Sequence, residues 1–248
     1  MTIRTPADLE GLTHVGRLVA LTLRRLESAV APGVSTAELD RMAERFLTAR
    51  GARSGPQRDY EFPGFVCLSV NDEIVHGIPG PRTLRGGDLL KIDVTAECGG
   101  YLADAAISVP VPPVSDLARR LVSCAREAFE EAMRVTRAGL PIAGIGRAVE
   151  ATAGRHGFHV VRELCGHGVG RRVHEPPEIP NYDEPLRRDL LEEGMVIAVE
   201  PILAASPGRA LESDDRWTIL TESGCLAAHH EHTLVVQKGE PLVLTAAA

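Results

Sequence analysis

Four carboxylates and one imidazole, Asp93, Asp104, Glu200, Glu231 and His167, stand in strongly apolar stretches of this chain. Asp93 lies in LLKIDVTAE and Asp104 in YLADAAISV, eleven residues apart around the turn-like Cys98-Gly99-Gly100. Glu200 ends the apolar run MVIAVEP, Glu231 sits in HHEHTLVV, and His167 in the glycine-rich CGHGVG. One acid at the end of a buried strand is an ordinary edge residue, and paired structural acids also occur. Four acids with a histidine form a donor set suited to a pair of divalent ions. A carboxylate shared by two ions needs no proton, and two such bridges keep the ions close enough to share a water. Oxygen-rich sites with one imidazole accept manganese, iron, cobalt or zinc, so the donor types do not choose among them.

Helices and strands must bring these residues together. Thr5-Pro6 followed by Asp8 and Glu10 reads as an N-cap, a first-turn proline and acids matched to the helix dipole. Val15, Leu18, Val19, Thr22, Leu26 and Val30 then recur at helical spacing, up to Pro32-Gly33. The capping box Ser35-Thr36-Ala37-Glu38 opens a second helix to about Arg50, with Gly51 as its stop. Residues 58–112 alternate turns with the β-rich segments FVCLSV, EIVHGI, DLLKIDVTAE and YLADAAISVPV. Ser115 caps a helix to about Ala138-Gly139, and Pro141-Ile142 opens another that ends near Gly157. Strands return in GHGVG, GMVIAVEPIL, RWTILT and LAAHHEHTLVV. The order suggests two similar halves meeting near residue 114. Because both halves supply donors, residues 1–248 are expected to form one α+β domain, with a central, mostly antiparallel sheet and outer helices.

The composition narrows the functional classes. A chain of 248 residues, 44% hydrophobic and 25% charged, fits a globular protein with a large core. Its 27 basic and 34 acidic residues give a net charge of −7, and no basic run is dense enough for a nucleic-acid footprint. Arg24-Arg25, Arg171-Arg172 and Arg187-Arg188 read as solvated faces or local anchors. MTIRTPADLE lacks the apolar core of a signal peptide, and no run reaches membrane-spanning length. Five cysteines, at 67, 98, 124, 165 and 225, form no CxxC pair. An odd, scattered set points to reduced thiols and a cytoplasmic location.

Seven segments carry a family resemblance: TPADLEGLTHVGRLVA, PGVSTAELD, FPGFVCLSVNDEIVHGIPG, IDVT, GHGVGRRVHEPPEIPNY, GMVIAVEPIL and EHTLVV. On them the chain resembles the type I methionine aminopeptidases of metallopeptidase family M24, over essentially its whole length. The glycines of GHGVG alone would suggest a dinucleotide loop, but no helix-forming sequence follows them. The resemblance implies the α+β pita-bread (creatinase/aminopeptidase-like) fold with pseudo-twofold halves. It implies two divalent ions held by Asp93, Asp104, His167, Glu200 and Glu231, with Asp104 and Glu231 bridging. Glu200 would shuttle the proton, His174 would hydrogen-bond the substrate near the scissile peptide, and His76 of HGIP would meet the tetrahedral intermediate or leaving nitrogen. Phe62, Cys67, His76 and Trp217 would line the methionine slot, with Tyr60 beside it. The implied partners are N-terminal methionyl peptides with a small second residue and nascent chains, met at the ribosome by a monomer.

The chain departs from the family in several places. Where the family has a tyrosine and then a glycine before the slot aromatic, this chain reads Arg58-Asp59-Tyr60-Glu61-Phe62, which places two charges at the expected rim. Ala103-Asp104-Ala105-Ala106 lacks the usual hydroxylated neighbours, so hydrogen-bond support around Asp104 is expected to be weaker. Val173 replaces a phenylalanine, and His229-His230 replace a glutamine and an aromatic. His232 is expected to face away from Glu231 on its strand, and His14, His156, His159, His229 and His230 read as surface or packing residues. Two other classes remain on the sequence: a proline-specific pita-bread aminopeptidase, which usually carries an additional N-terminal domain, and an inactive pita-bread binding module, whose expected sign is ligand loss. All five ligands are present here.

Overall fold

The computed structural model describes residues Met1–Ala246. Its centre is a nine-stranded sheet in which every pairing is antiparallel. The path runs Arg53–Ser54, Leu89–Cys98, Tyr101–Pro110, Glu231–Val235, Val196–Val199, Cys165–Gly168, Glu175–Pro180. Cys67–Val70 also pairs with Leu89–Cys98, and Leu242–Val243 with Glu231–Val235. Two three-stranded sheets flank it.

The longest pairing shows how sequence sets register. Cys98 faces Tyr101, and Gly99 and Gly100 turn the chain with φ of 60° and 84°. Two consecutive positive φ values make the two-residue turn that matches strand twist, which is why glycines occupy both positions. Strand alternation then sends Leu90, Ile92, Val94 and Ala96 to one face and Asp93 and Thr95 to the other.

Helices cover the apolar face. Pro6–Glu27 and Thr36–Thr48 each begin with a complete capping box, Thr5 with Asp8 and Ser35 with Glu38. Their Leu18, Leu23, Leu26, Leu39 and Leu47 share a core with Ile92, Val94 and Ala105. Asp116–Val135 and Ala143–Arg155 pack Leu121, Phe129, Ile145 and Val149 against Ile197, Val199 and Leu234. Burying each such side chain stabilises by roughly 1.5–3 kcal/mol, so the polar face is held on a well-anchored sheet.

The boundaries need several corrections. The first helix stops at Glu27, not at Pro32-Gly33, because Ala29 and Val30 turn to pack on the core as loop residues. The Ser115-capped helix ends at Val135 rather than near Ala138. Within the stretch read as turns and strands, Gly55–Tyr60 is a short helix capped by Ser54. EIVHGI is a strand only over Glu73–Val75, and RWTILT only over Ile219–Thr221. No helix among the described residues is long and apolar enough to cross a membrane.

Candidate metal centre

The polar sheet face carries the donors in two adjacent rows. In one, Cys67 pairs with Asp93, Asp93 with Ala106, and Ala106 with Glu231. In the next, Thr95 pairs with Asp104, and Thr233 with Ala198, which pairs with His167. Thr233 ties the rows: its Oγ1 accepts from Asp104 N and donates to Asp104 O, both at 2.8 Å. Glu200 follows the strand Val196–Val199, and its carbonyl accepts from Asn181 Nδ2 at 3.0 Å. The PNY segment thus holds the backbone of Glu200.

His167 is aimed by its own loop. Its Nδ1 hydrogen-bonds the Gly168 carbonyl at 2.9 Å, which leaves the Nε2 lone pair for the site. Nε2 lies 3.5 Å from Glu200 Oε1 and 3.9 Å from Asp104 Oδ2. The flanking glycines serve close packing of strands rather than phosphate binding. A Cβ on Gly166 would stand 2.4 Å from Ala198 O, and one on Gly168 2.2 Å from Pro176 O.

Asp104, His167, Glu200 and Glu231 are all buried, with Asp93 half-buried beside Asp104. Burial, then the neighbouring Asp104, pushes the Asp93 carboxyl well above the usual range; burial with Asp104 and Glu200 does the same to Glu231. Oxygens Asp104 Oδ1 and Glu231 Oε1 are buried without a hydrogen-bond partner. Buried carboxylates that repel one another and leave orphan oxygens call for cations, so the residues present fit a divalent metal site. Two groups of donor atoms lie within 4.8 Å of one another: Asp104, His167 and Glu231, and Glu200, His229 and Glu231. They share Glu231, as a bridging carboxylate would.

His229 corrects the sequence reading, which placed it among surface or packing residues. It is 2% exposed, with Nε2 3.5 Å from Glu200 Oε2 and 3.4 Å from Glu231 Oε2. Burial opposes its protonation, but Glu200 and Glu231 outweigh that and raise its pKa well above the usual value. The signal was present: period-two alternation puts residues 229 and 231 on one side. By the same alternation His230 and His232 point away, packing edge-on against Phe129 at 5.4 and 5.1 Å.

Above the donors opens a cavity of about 980 Å³. Phe62, Cys67, His76, Val173, His174 and Trp217 line it. Phe62 and Trp217 meet edge-to-face at 5.2 Å, forming an apolar wall. His76 adopts a left-handed φ of 59°, and burial lowers its pKa, favouring neutral imidazole. His174 stacks edge-on to His167 at 4.3 Å and hydrogen-bonds Tyr60 Oη through Nδ1 at 2.6 Å. The two expected rim charges do not enter: neither lines the cavity. Asp59 instead accepts from Val173 N at 2.9 Å, and Glu61 caps the short helix in a left-handed conformation.

This arrangement, a carboxylate-rich floor beside an apolar slot and two histidines, suits metal-assisted hydrolysis of a small acyl group. The comparisons agree. The metallopeptidase family M24 model matches residues 10–238. Methionine aminopeptidase 2 of Bacillus subtilis is 40% identical over 247 residues, 99% of each chain. The Helicobacter pylori methionine aminopeptidase is 35% identical over 99% of this chain and 98% of its own. The crystal structure of the Thermotoga maritima methionine aminopeptidase superposes with a TM-score of 0.95 at 31% identity, covering 100% of both chains. A Bacillus anthracis Xaa-Pro dipeptidase, at 19% identity and TM-score 0.80, matches 100% of this chain over 62% of the dipeptidase chain and shares the fold alone. The chain belongs to metallopeptidase family M24, is similar over its whole length to that family's methionine aminopeptidases, and has their pita-bread fold.

Proposed function

We propose that the protein hydrolyses the N-terminal methionine from peptides and newly made proteins, favouring a small second residue. The observation that carries this reading is the shared cavity, in which the Phe62–Trp217 wall opens directly onto the donors Asp93, Asp104, His167, Glu200 and Glu231. In this reading those five residues would hold two divalent ions. The ions, when bound, supply a Lewis acid for the scissile carbonyl, a partner for the free α-amine and the acidity that makes water a nucleophile near neutral pH.

The remaining work falls to the chain. Glu200 takes the proton of the attacking water and delivers it to the leaving amine. His174, oriented by Tyr60, donates to the substrate next to the scissile bond. His76, kept neutral by burial, meets the tetrahedral intermediate or the leaving nitrogen. Phe62, Cys67 and Trp217 exclude water around the methionine side chain, whose sulfur packs favourably on aromatic rings. Such a slot separates methionine from leucine by only about 1–3 kcal/mol. We read residues 1–248 as one catalytic domain of two pseudo-symmetric halves, acting as a monomer in the cytoplasm, with nascent chains at the ribosome among its substrates.

A peptide panel in manganese, iron, cobalt or zinc tests the reading. Met-Ala-Ser should release methionine, and its N-acetylated form should not react. Faster cleavage of a free Xaa-Pro peptide would favour a proline-specific enzyme, and no release in any metal would favour a binding role.

A further inference from the structure

We propose that His229 is a sixth metal ligand, its Nε2 joining Glu200 and Glu231 around one of the two ions. The inference rests on the metallopeptidase reading and adds a nitrogen donor that the resemblance does not assign. The family's usual glutamine at this place has no ring nitrogen to offer.

Three observations support it. The first is distance. His229 Nε2 lies 3.5 Å from Glu200 Oε2 and 3.4 Å from Glu231 Oε2. Two donors on one ion, at bond lengths near 2.0–2.2 Å and between octahedral and tetrahedral angles, lie about 3–3.6 Å apart. The second is satisfaction. Both ring nitrogens of His229 are buried without a hydrogen-bond partner, in a residue 2% exposed. A buried imidazole held between two carboxylates without a well-formed hydrogen bond is costly, and an ion placed among them gives Nε2 a partner and cancels the carboxylate charge. The third is aim. His229 N donates to Ser108 Oγ and Ser108 Oγ donates to His229 O, both at 2.8 Å, which fixes the backbone from which the ring projects.

The two carboxylate oxygens of Glu200 therefore face two imidazoles, His167 on Oε1 and His229 on Oε2, each 3.5 Å away. With two nitrogens in the set, the pair should prefer zinc and cobalt over manganese more strongly than a one-imidazole centre does.

The apo-protein titrated with cobalt(II), followed by calorimetry and visible absorption, tests this without reference to turnover. His229→Gln should weaken one of two binding steps at least tenfold and change the d–d bands, while His230→Gln should leave both as in wild type. Unchanged constants and bands in His229→Gln would overturn the proposal. Zinc-loaded wild type gives a second test that does not depend on the variant folding. X-ray absorption should count an average of one imidazole per zinc if both histidines bind, and half that if His167 binds alone. Methionyl-peptide hydrolysis measured on the same wild-type sample separates the two readings. Two bound imidazoles with no cleavage in manganese, iron, cobalt or zinc would sink the proposed activity and keep this ligand, and cleavage with half an imidazole per zinc would do the reverse.

Discussion

The phenol of Tyr60 hydrogen-bonds Nδ1 of His174 at 2.6 Å, tying the short helix Gly55–Tyr60 to the segment that follows CGHGVG. With Tyr60 Oη as donor, Nδ1 accepts and Nε2 keeps its hydrogen, the tautomer that can donate towards a peptide carbonyl. In the proposed reading Tyr60 would act on the substrate through His174, as well as lining the cavity.

Tyr60→Phe is accordingly expected to lower kcat/KM on Met-Ala-Ser about tenfold, the worth of one neutral hydrogen bond. The loss should fall mainly in kcat, with metal content unchanged. His174→Ala should go further, on the order of 10²-fold. An unchanged kcat in Tyr60→Phe would show that packing alone orients the ring.

Asp104 and Glu231 both stand among buried acids with an orphan oxygen each. Replacing either by alanine should abolish peptide hydrolysis and lower the bound metal measured by mass spectrometry. Full activity in Asp104→Ala would remove the dinuclear reading.

Close strand packing around His167 gives a stability prediction. A methyl on Gly168 would meet the Pro176 carbonyl at 2.2 Å, whereas nothing lies within 4 Å of a methyl on Gly144 in the helix Ala143–Arg155. Gly168→Ala is expected to cost about 1–3 kcal/mol in urea unfolding. Gly144→Ala should be neutral or stabilising by up to about 1 kcal/mol. Equal effects of the two would show that the strands part without cost.

Glu61 occupies a left-handed position, φ 60° and ψ 30°. An L side chain there costs roughly 1–2 kcal/mol, partly offset by the greater backbone freedom of glycine when unfolded. Glu61→Gly should therefore raise stability by up to about 1 kcal/mol, read as a higher thermal midpoint. A lower midpoint would mean that the Glu61 side chain contributes more than its backbone costs.

Asp40 accepts the amides of Phe65 and Val66 at 2.8 and 3.0 Å, on the loop leading to Cys67. Burial nevertheless raises its pKa above the usual carboxylate value. A carboxyl raised in the folded state contributes fully below its unfolded pKa, and that contribution is lost as pH rises through the folded value. Wild type should thus lose stability relative to Asp40→Asn as pH rises above the usual carboxylate value, since Asn keeps an acceptor and does not ionise. A constant difference across that rise would exclude Asp40 as the titrating group.

Much of this protein was legible in its sequence because the signals are local. Capping boxes at Thr5 and Ser35 need only residues three apart, and both form. The paired glycines at 99 and 100 fix a hairpin register, and with it the facing of Asp93 and Thr95. The donor types of Asp93, Asp104, His167, Glu200 and Glu231 suit divalent ions on their chemistry alone. Helix ends were less legible, since Ala29 and Val30 leave the first helix to pack on a core that composition does not display.

Tertiary structure alone decided how the pieces share space. The strands of Asp93 and Asp104 join those of Glu231 and His167 only through long-range ladder pairing, which no local period encodes. That pairing aligns Asp93, Ala106 and Glu231 in one row, brings Tyr60 to His174, and turns Asp59 away from the slot. It also converts His229 from one histidine in a run of polar residues into a buried ring between two glutamates. Sequence specifies which donors exist and which way each strand turns them. Only the assembled sheet brings those carboxylates and imidazoles within a few ångströms of one another.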